Sequence, residues 1–124
     1  MRKALNVSSN KFEKLQISSN LIMTVLDYIT SIDSLDEDSV IYARRINGKF
    51  SRASEAVILS LSDREESLPT AKISEMKCPG FDYFLEASLI KEILEGTSED
   101  HPEYDISMLA DRIVYYAEYD AYLD

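Results

Sequence analysis

The sequence predicts an α+β fold in which a small antiparallel sheet of about three strands packs with about three helices. Apolar residues recur at helical spacing in three separate stretches, at 20–32, 81–95 and 106–117. Between the first two, Asn47-Gly48 stands between β-rich runs. That pair is the strongest short-range hairpin signal, because both turn positions need a positive φ. Glu55 to Leu61 (EAVILSL) follows, with Val57, Leu59 and Leu61 on one face and Ile58 on the other, the pattern of a buried strand.

The bulk properties suit one domain over residues 1–124. A chain of 124 residues with 45% hydrophobic and 29% charged residues can bury a real core without staples. With three glycines and three prolines, regular elements should outweigh irregular loops. Cys78 is the single cysteine, which excludes an intrachain disulfide and any multi-cysteine metal site. The first residues carry no continuous apolar signal core, and no apolar run approaches the roughly 20 residues that span a bilayer. A cytoplasmic, membrane-free location is the expectation. A formal charge of −10 opposes ordinary binding to nucleic acid and favours a basic partner.

Residues 1–17 carry Arg2, Lys3, Lys11 and Lys14 and read as a loosely packed N-terminal arm. Ser18-Ser19-Asn20 offers caps for a first helix over 20–32, whose stripe is Leu21, Ile22, Val25, Leu26, Ile29 and Ile32. Asp33, Asp36, Glu37 and Asp38 crowd the next loop, but their spacing does not match a calcium loop. The hairpin around Asn47-Gly48 carries Arg44, Arg45, Lys49 and Arg52, the basic face of an acidic protein. It reads as a charged edge or as the answer to the molecule's own acidic side. Residues 62–69 read as a polar loop, and 71–76 as either a short strand or a connector. Phe81 to Glu95 reads as the most buried helix, with Gly96 as its stop and 97–102 as a polar linker. Asp105 then caps a third helix with the stripe Ile106, Leu109, Ala110, Ile113 and Ala117.

Catalytic chemistry finds little support. His101 is the only histidine and has no metal-spaced companions, so neither a metal nor a cofactor is expected. No nucleophile elbow and no glycine-rich phosphate loop is present, and a Cys78–His101 pair carries no family signature. The protein is read as a non-enzyme.

The end of the chain is where acids and tyrosines combine. From Glu99 onward, Glu99, Asp100, Glu103, Asp105, Asp111, Glu118, Asp120 and Asp124 face Arg112 as the only base. Tyr115, Tyr116, Tyr119 and Tyr122 punctuate the same stretch. Tyrosines supply rigid apolar contact area, and surrounding acids steer a basic partner. Candidate partner-binding residues are therefore Glu99, Asp100, Glu103, Asp111, Tyr115, Tyr116, Glu118, Tyr119, Asp120 and Tyr122. Reversing Glu118 and Asp120 to Lys is expected to slow association.

The ending IVYYAEYDAYLD, after a first helix, an Asn-Gly strand pair, a buried strand and two further helices, resembles small acidic bacterial immunity proteins. These belong to polymorphic toxin systems, contact-dependent growth inhibition among them. The resemblance covers residues 20–124, with its specific part in the last dozen. It implies a cytoplasmic toxin inhibitor, a protein–protein interaction partner of a cognate toxin domain, expected to be a basic nuclease whose active site is occluded. The sequence departs from that pattern in its basic hairpin and in residues 1–17, which have no counterpart. An acidic DNA mimic that inhibits a DNA-binding enzyme and a non-catalytic adaptor or oligomerisation subunit are the alternatives. Monomer and homodimer both stay open.

Overall fold

A computed structural model describes residues 23–120. The arm at 1–17, the expected caps at 18–20 and the tail residue Tyr122 lie outside them. The elements are β1 (Met23–Thr24), α1 (Val25–Thr30), a 3₁₀ turn (Ile32–Ser34), β2 (Val40–Ala43), β3 (Glu55–Leu59), α2 (Asp63–Glu66), α3 (Thr70–Lys77), β4 (Asp82–Glu86), α4 (Ala87–Asp100) and α5 (Ile106–Tyr119). The fold is α+β: a four-stranded antiparallel sheet, in the order β1-β3-β2-β4, with helices on both faces.

β2 is the centre of the molecule. All four of its residues are buried, because each face of the strand meets a different apolar layer. Ile41 and Ala43 join Val25, Tyr28, Ile29, Phe50, Phe84, Ile90, Ile93 and Ile113 in the larger cluster, under α1, α4 and α5. Val40 and Tyr42 turn the other way and pack with Val57, Ile73, Cys78 and Phe81 under α3. The β2–β4 register jumps from Ile41↔Leu85 to Tyr42↔Tyr83, leaving Phe84 as the extra residue of a bulge. Phe84 and Leu85 can therefore both reach the larger cluster.

Several elements begin or end away from where the sequence predicts them. The first helix, predicted over 20–32, starts at Val25. Thr24 caps it in a reciprocal box: the Asp27 N–H donates to Thr24 Oγ1 at 3.1 Å, and the Thr24 N–H donates to Asp27 Oδ2 at 3.0 Å. Met23 and Thr24 pair with Ala56 and Glu55, which adds the fourth strand. Thr30 and Ser31 donate their hydroxyls to the Leu26 and Asp27 carbonyls, where the helix gives out.

The stretch at 81–95 is not one helix. Asp82–Glu86 is a strand, and the helix runs from Ala87 through Gly96 to Asp100. The Tyr-Phe-Leu run suits a strand, and pairing with it makes β2 an inner strand. Gly96 does not stop the helix; His101, which precedes Pro102, does, at φ −133° and ψ 71°. The polar loop at 62–69 contains α2, capped by Ser62 and Glu65 in the same reciprocal manner as α1. The ambiguous stretch at 71–76 is α3.

Candidate functional site

The basic hairpin is engaged within the molecule. Asn47 (φ 54°) and Gly48 (φ 83°) make the tight turn, bridged by Ile46 and Lys49. Arg44 pairs with Glu55 at 3.1 Å and stacks over Phe81 at 4.5 Å. Arg45 reaches Asp82 at 3.1 Å and donates to both Glu118 oxygens at 3.1 and 3.2 Å. Its guanidinium also lies 4.1 Å over the Phe50 ring. The Phe50 N–H donates to Glu118 Oε1 at 3.0 Å, and Arg52 meets Asp111 at 2.8 Å. Two hairpin arginines and one hairpin amide thus fasten α5.

This divides the candidate acids. Glu118, with its side chain 18% exposed, holds the hairpin rather than facing solvent. Asp111 is exposed but answers Arg52. Glu99, Asp100 and Glu103 are exposed at the end of α4 and in the α4–α5 corner. Of these three, Glu103 makes one ion-pair contact, 3.4 Å from the His101 Nδ1. Asp120, at φ 53°, is the left-handed cap of α5 and is exposed.

The tyrosines divide too. Tyr116 packs against the larger core. Tyr115 and Tyr119 pack on each other with ring centroids 4.6 Å apart, and Tyr119 is 53% exposed. Met108, 50% exposed, lies on the same helical face, so Met108, Arg112, Tyr115 and Tyr119 form one stripe at i, i+4, i+7 and i+11. Sequence reasoning missed Met108, which the inward stripe of Leu109, Ala110 and Ile113 necessarily leaves outside. Ile106, expected inside, is also exposed.

A chain of contacts joins this stripe to the acidic corner. Arg112 Nη2 donates to the Tyr104 hydroxyl at 2.5 Å and its guanidinium lies 5.1 Å from the Tyr104 ring. Tyr104 stacks on His101 at 4.4 Å with the rings nearly parallel. The face is thus a half-exposed aromatic and methionine strip with a carboxylate corner at the start of its helix.

Other reactive groups lie apart from it. Cys78 is buried under α3, where burial raises its thiol pKa, whereas His101 ends a helix of the opposite layer. Among the described residues, no group of three His, Cys, Asp or Glu side chains is placed to hold a metal ion. Lys91 bridges Asp33 at 3.9 Å and Glu37 at 3.3 Å, so part of the loop's acid cluster is tied to α4. No helix among the described residues is long and apolar enough to cross a membrane.

No curated protein and no solved structure matches the chain. A family model described as a domain of unknown function, DUF7716, matches residues 21–124. That range takes in every strand and helix described above, and the chain belongs to the DUF7716 family.

Proposed function

We propose that this protein is a cytoplasmic, non-catalytic immunity protein that binds a basic toxin domain and occludes its active site. The observation that supports this reading best is the α5 stripe of Met108, Tyr115 and Tyr119, placed beside Glu99, Asp100 and Glu103. Apolar rings give a partner desolvated anchors, while exposed carboxylates speed its encounter and choose its charge. Glu118 and Asp111 contribute by fixing the helix to the hairpin, so the stripe is presented on a rigid support.

The test is to look beside this gene for a secreted protein with a variable C-terminal domain and to co-express that domain, where it inhibits growth, with this chain. The wild-type chain is expected to restore growth. Tyr115→Ala with Tyr119→Ala is expected to abolish protection while circular dichroism stays native, since a buried aromatic anchor contributes about 2 kcal/mol or more to binding. Charge reversal at Glu99, Asp100 and Glu103 is expected to slow association, most clearly at low salt. Full protection by the double tyrosine variant would remove the stripe from the reading. The absence of any such neighbour, or growth inhibition by that domain left untouched by the chain, would remove the reading itself.

A further inference from the structure

The opposite face of the sheet carries a second feature. Between α3, the end of β4 and the loop before β2 lies a cleft of about 400 Å³. Its inner wall is Val40, Tyr42, Leu61, Leu68, Ile73 and Tyr83, with the two tyrosine rings edge to face at 5.9 Å. Its rim is acidic: Glu37, Asp38, Glu66 and Glu86 line it, and no Lys or Arg does. Lys91 pairs with Glu37 at 3.3 Å, whereas Asp38, Glu66 and Glu86 make no ion pair among the described residues.

We propose that this cleft binds a small organic cation, an ammonium or guanidinium group on an apolar or aromatic body. The wall offers aliphatic surface and Tyr83's ring to the body, and the rim carboxylates meet the charge. The Tyr83 hydroxyl donates to Glu86 Oε2 at 2.9 Å, holding that carboxylate at the mouth. Burial, with Glu86 beside it, raises the Tyr83 pKa, so the phenol stays a neutral donor there. An anion would meet four carboxylates, and a neutral ligand would leave Asp38, Glu66 and Glu86 without a counter-charge. The volume falls within the roughly 300–1,000 Å³ of free small-ligand sites, which favours a free molecule over an extended protein surface. This inference is independent of the α5 reading, since cleft and stripe lie on opposite layers.

The test is a titration of the full chain, followed by two-dimensional NMR, with benzylammonium, benzyl alcohol and benzoate. Benzylammonium is expected to shift the Tyr83, Leu68 and Ile73 resonances saturably, with the alcohol and benzoate binding at least about tenfold more weakly. Glu66→Gln and Glu86→Gln, both exposed changes away from the core, are each expected to weaken binding by roughly fivefold. Tyr119→Ala is expected to leave it unchanged. Equal binding of benzyl alcohol, equal binding by both Gln variants, or shifts confined to the acidic corner near Glu99 would overturn the proposal. A capped Gly-Arg-Gly peptide that bound more tightly than benzylammonium would overturn the assignment to a free ligand, leaving the cleft to a protein partner's side chain.

Discussion

Glu118 shows how much one carboxylate can decide. It accepts from the Phe50 amide and from Arg45, and so closes the join between the hairpin and the last turn of α5. Glu118→Ala leaves a half-buried amide without its acceptor and is expected to cost about 1–3 kcal/mol in urea denaturation. Glu118→Gln keeps an oxygen for Phe50 and loses only the charge pairing, so its cost should stay below about 1 kcal/mol. An Ala variant as stable as the wild type would show that the join is ornamental. The same geometry bears on the charge reversal at Glu118 and Asp120. A lysine at 118 would face Arg45 and unseat the hairpin, so lost protection in that variant would not locate a binding face. Glu99, Asp100 and Glu103 allow the cleaner experiment because they are exposed at the end of α4 and in the corner.

Among elements, the two glycines at 48 and 96 behave oppositely. Gly48 sits at φ 83°, and a methyl group added to its Cα would meet nothing within 4 Å, so an alanine there would suffer only backbone strain. Gly48→Ala is expected to cost about 1 kcal/mol and to loosen the hairpin that grips α5. Gly96 lies inside α4, again with open space around it. Gly96→Ala is expected to gain roughly 0.5–1 kcal/mol, because the chain loses less backbone entropy on folding. Thermal melts of the two variants should move in opposite directions; a destabilised Gly96→Ala would mean that the bare backbone there serves a contact. Gly96 also marks where sequence reasoning fails at this scale. A glycine after a helical run resembles a stop, yet the stop is supplied five residues later by His101 before Pro102.

For the whole molecule, β2 joins two apolar layers packed on opposite faces of the sheet. Its residues alternate between them, Ile41 and Ala43 to one side and Val40 and Tyr42 to the other. Unfolding is therefore expected to be a single cooperative transition. Ile73→Ala in α3 and Ile113→Ala in α5 are each expected to cost about 2–4 kcal/mol. Both should move the far-ultraviolet helix signal and the near-ultraviolet tyrosine signal together. Separate midpoints would show the α3 layer opening on its own, with the acid-rimmed cleft going with it.

The sequence by itself determined the α+β class, the Asn47-Gly48 turn, the two-faced strand at Glu55–Leu59 and the α5 stripe of Leu109, Ala110 and Ile113. These are local: a positive φ, an alternation of two and a period of 3.6 are each written into neighbouring residues. It also concentrated the acids and tyrosines at one end. Only the tertiary structure decided which of them remain available. Arg45 and Arg52 reach across dozens of residues to Glu118 and Asp111, and no spacing in the chain announces a contact of that kind. Tyr116 turned to the core, while Tyr115 and Tyr119 stayed outside because the inward face of α5 was already occupied. Asp82–Glu86 became a strand for a similarly non-local reason: β2 offered an unpaired edge, and long-range hydrogen bonding outweighed the local helical period. The cleft beside Tyr83 joins residues from three separate stretches, 37–42, 61–73 and 83–88, and only the packed fold could bring them together.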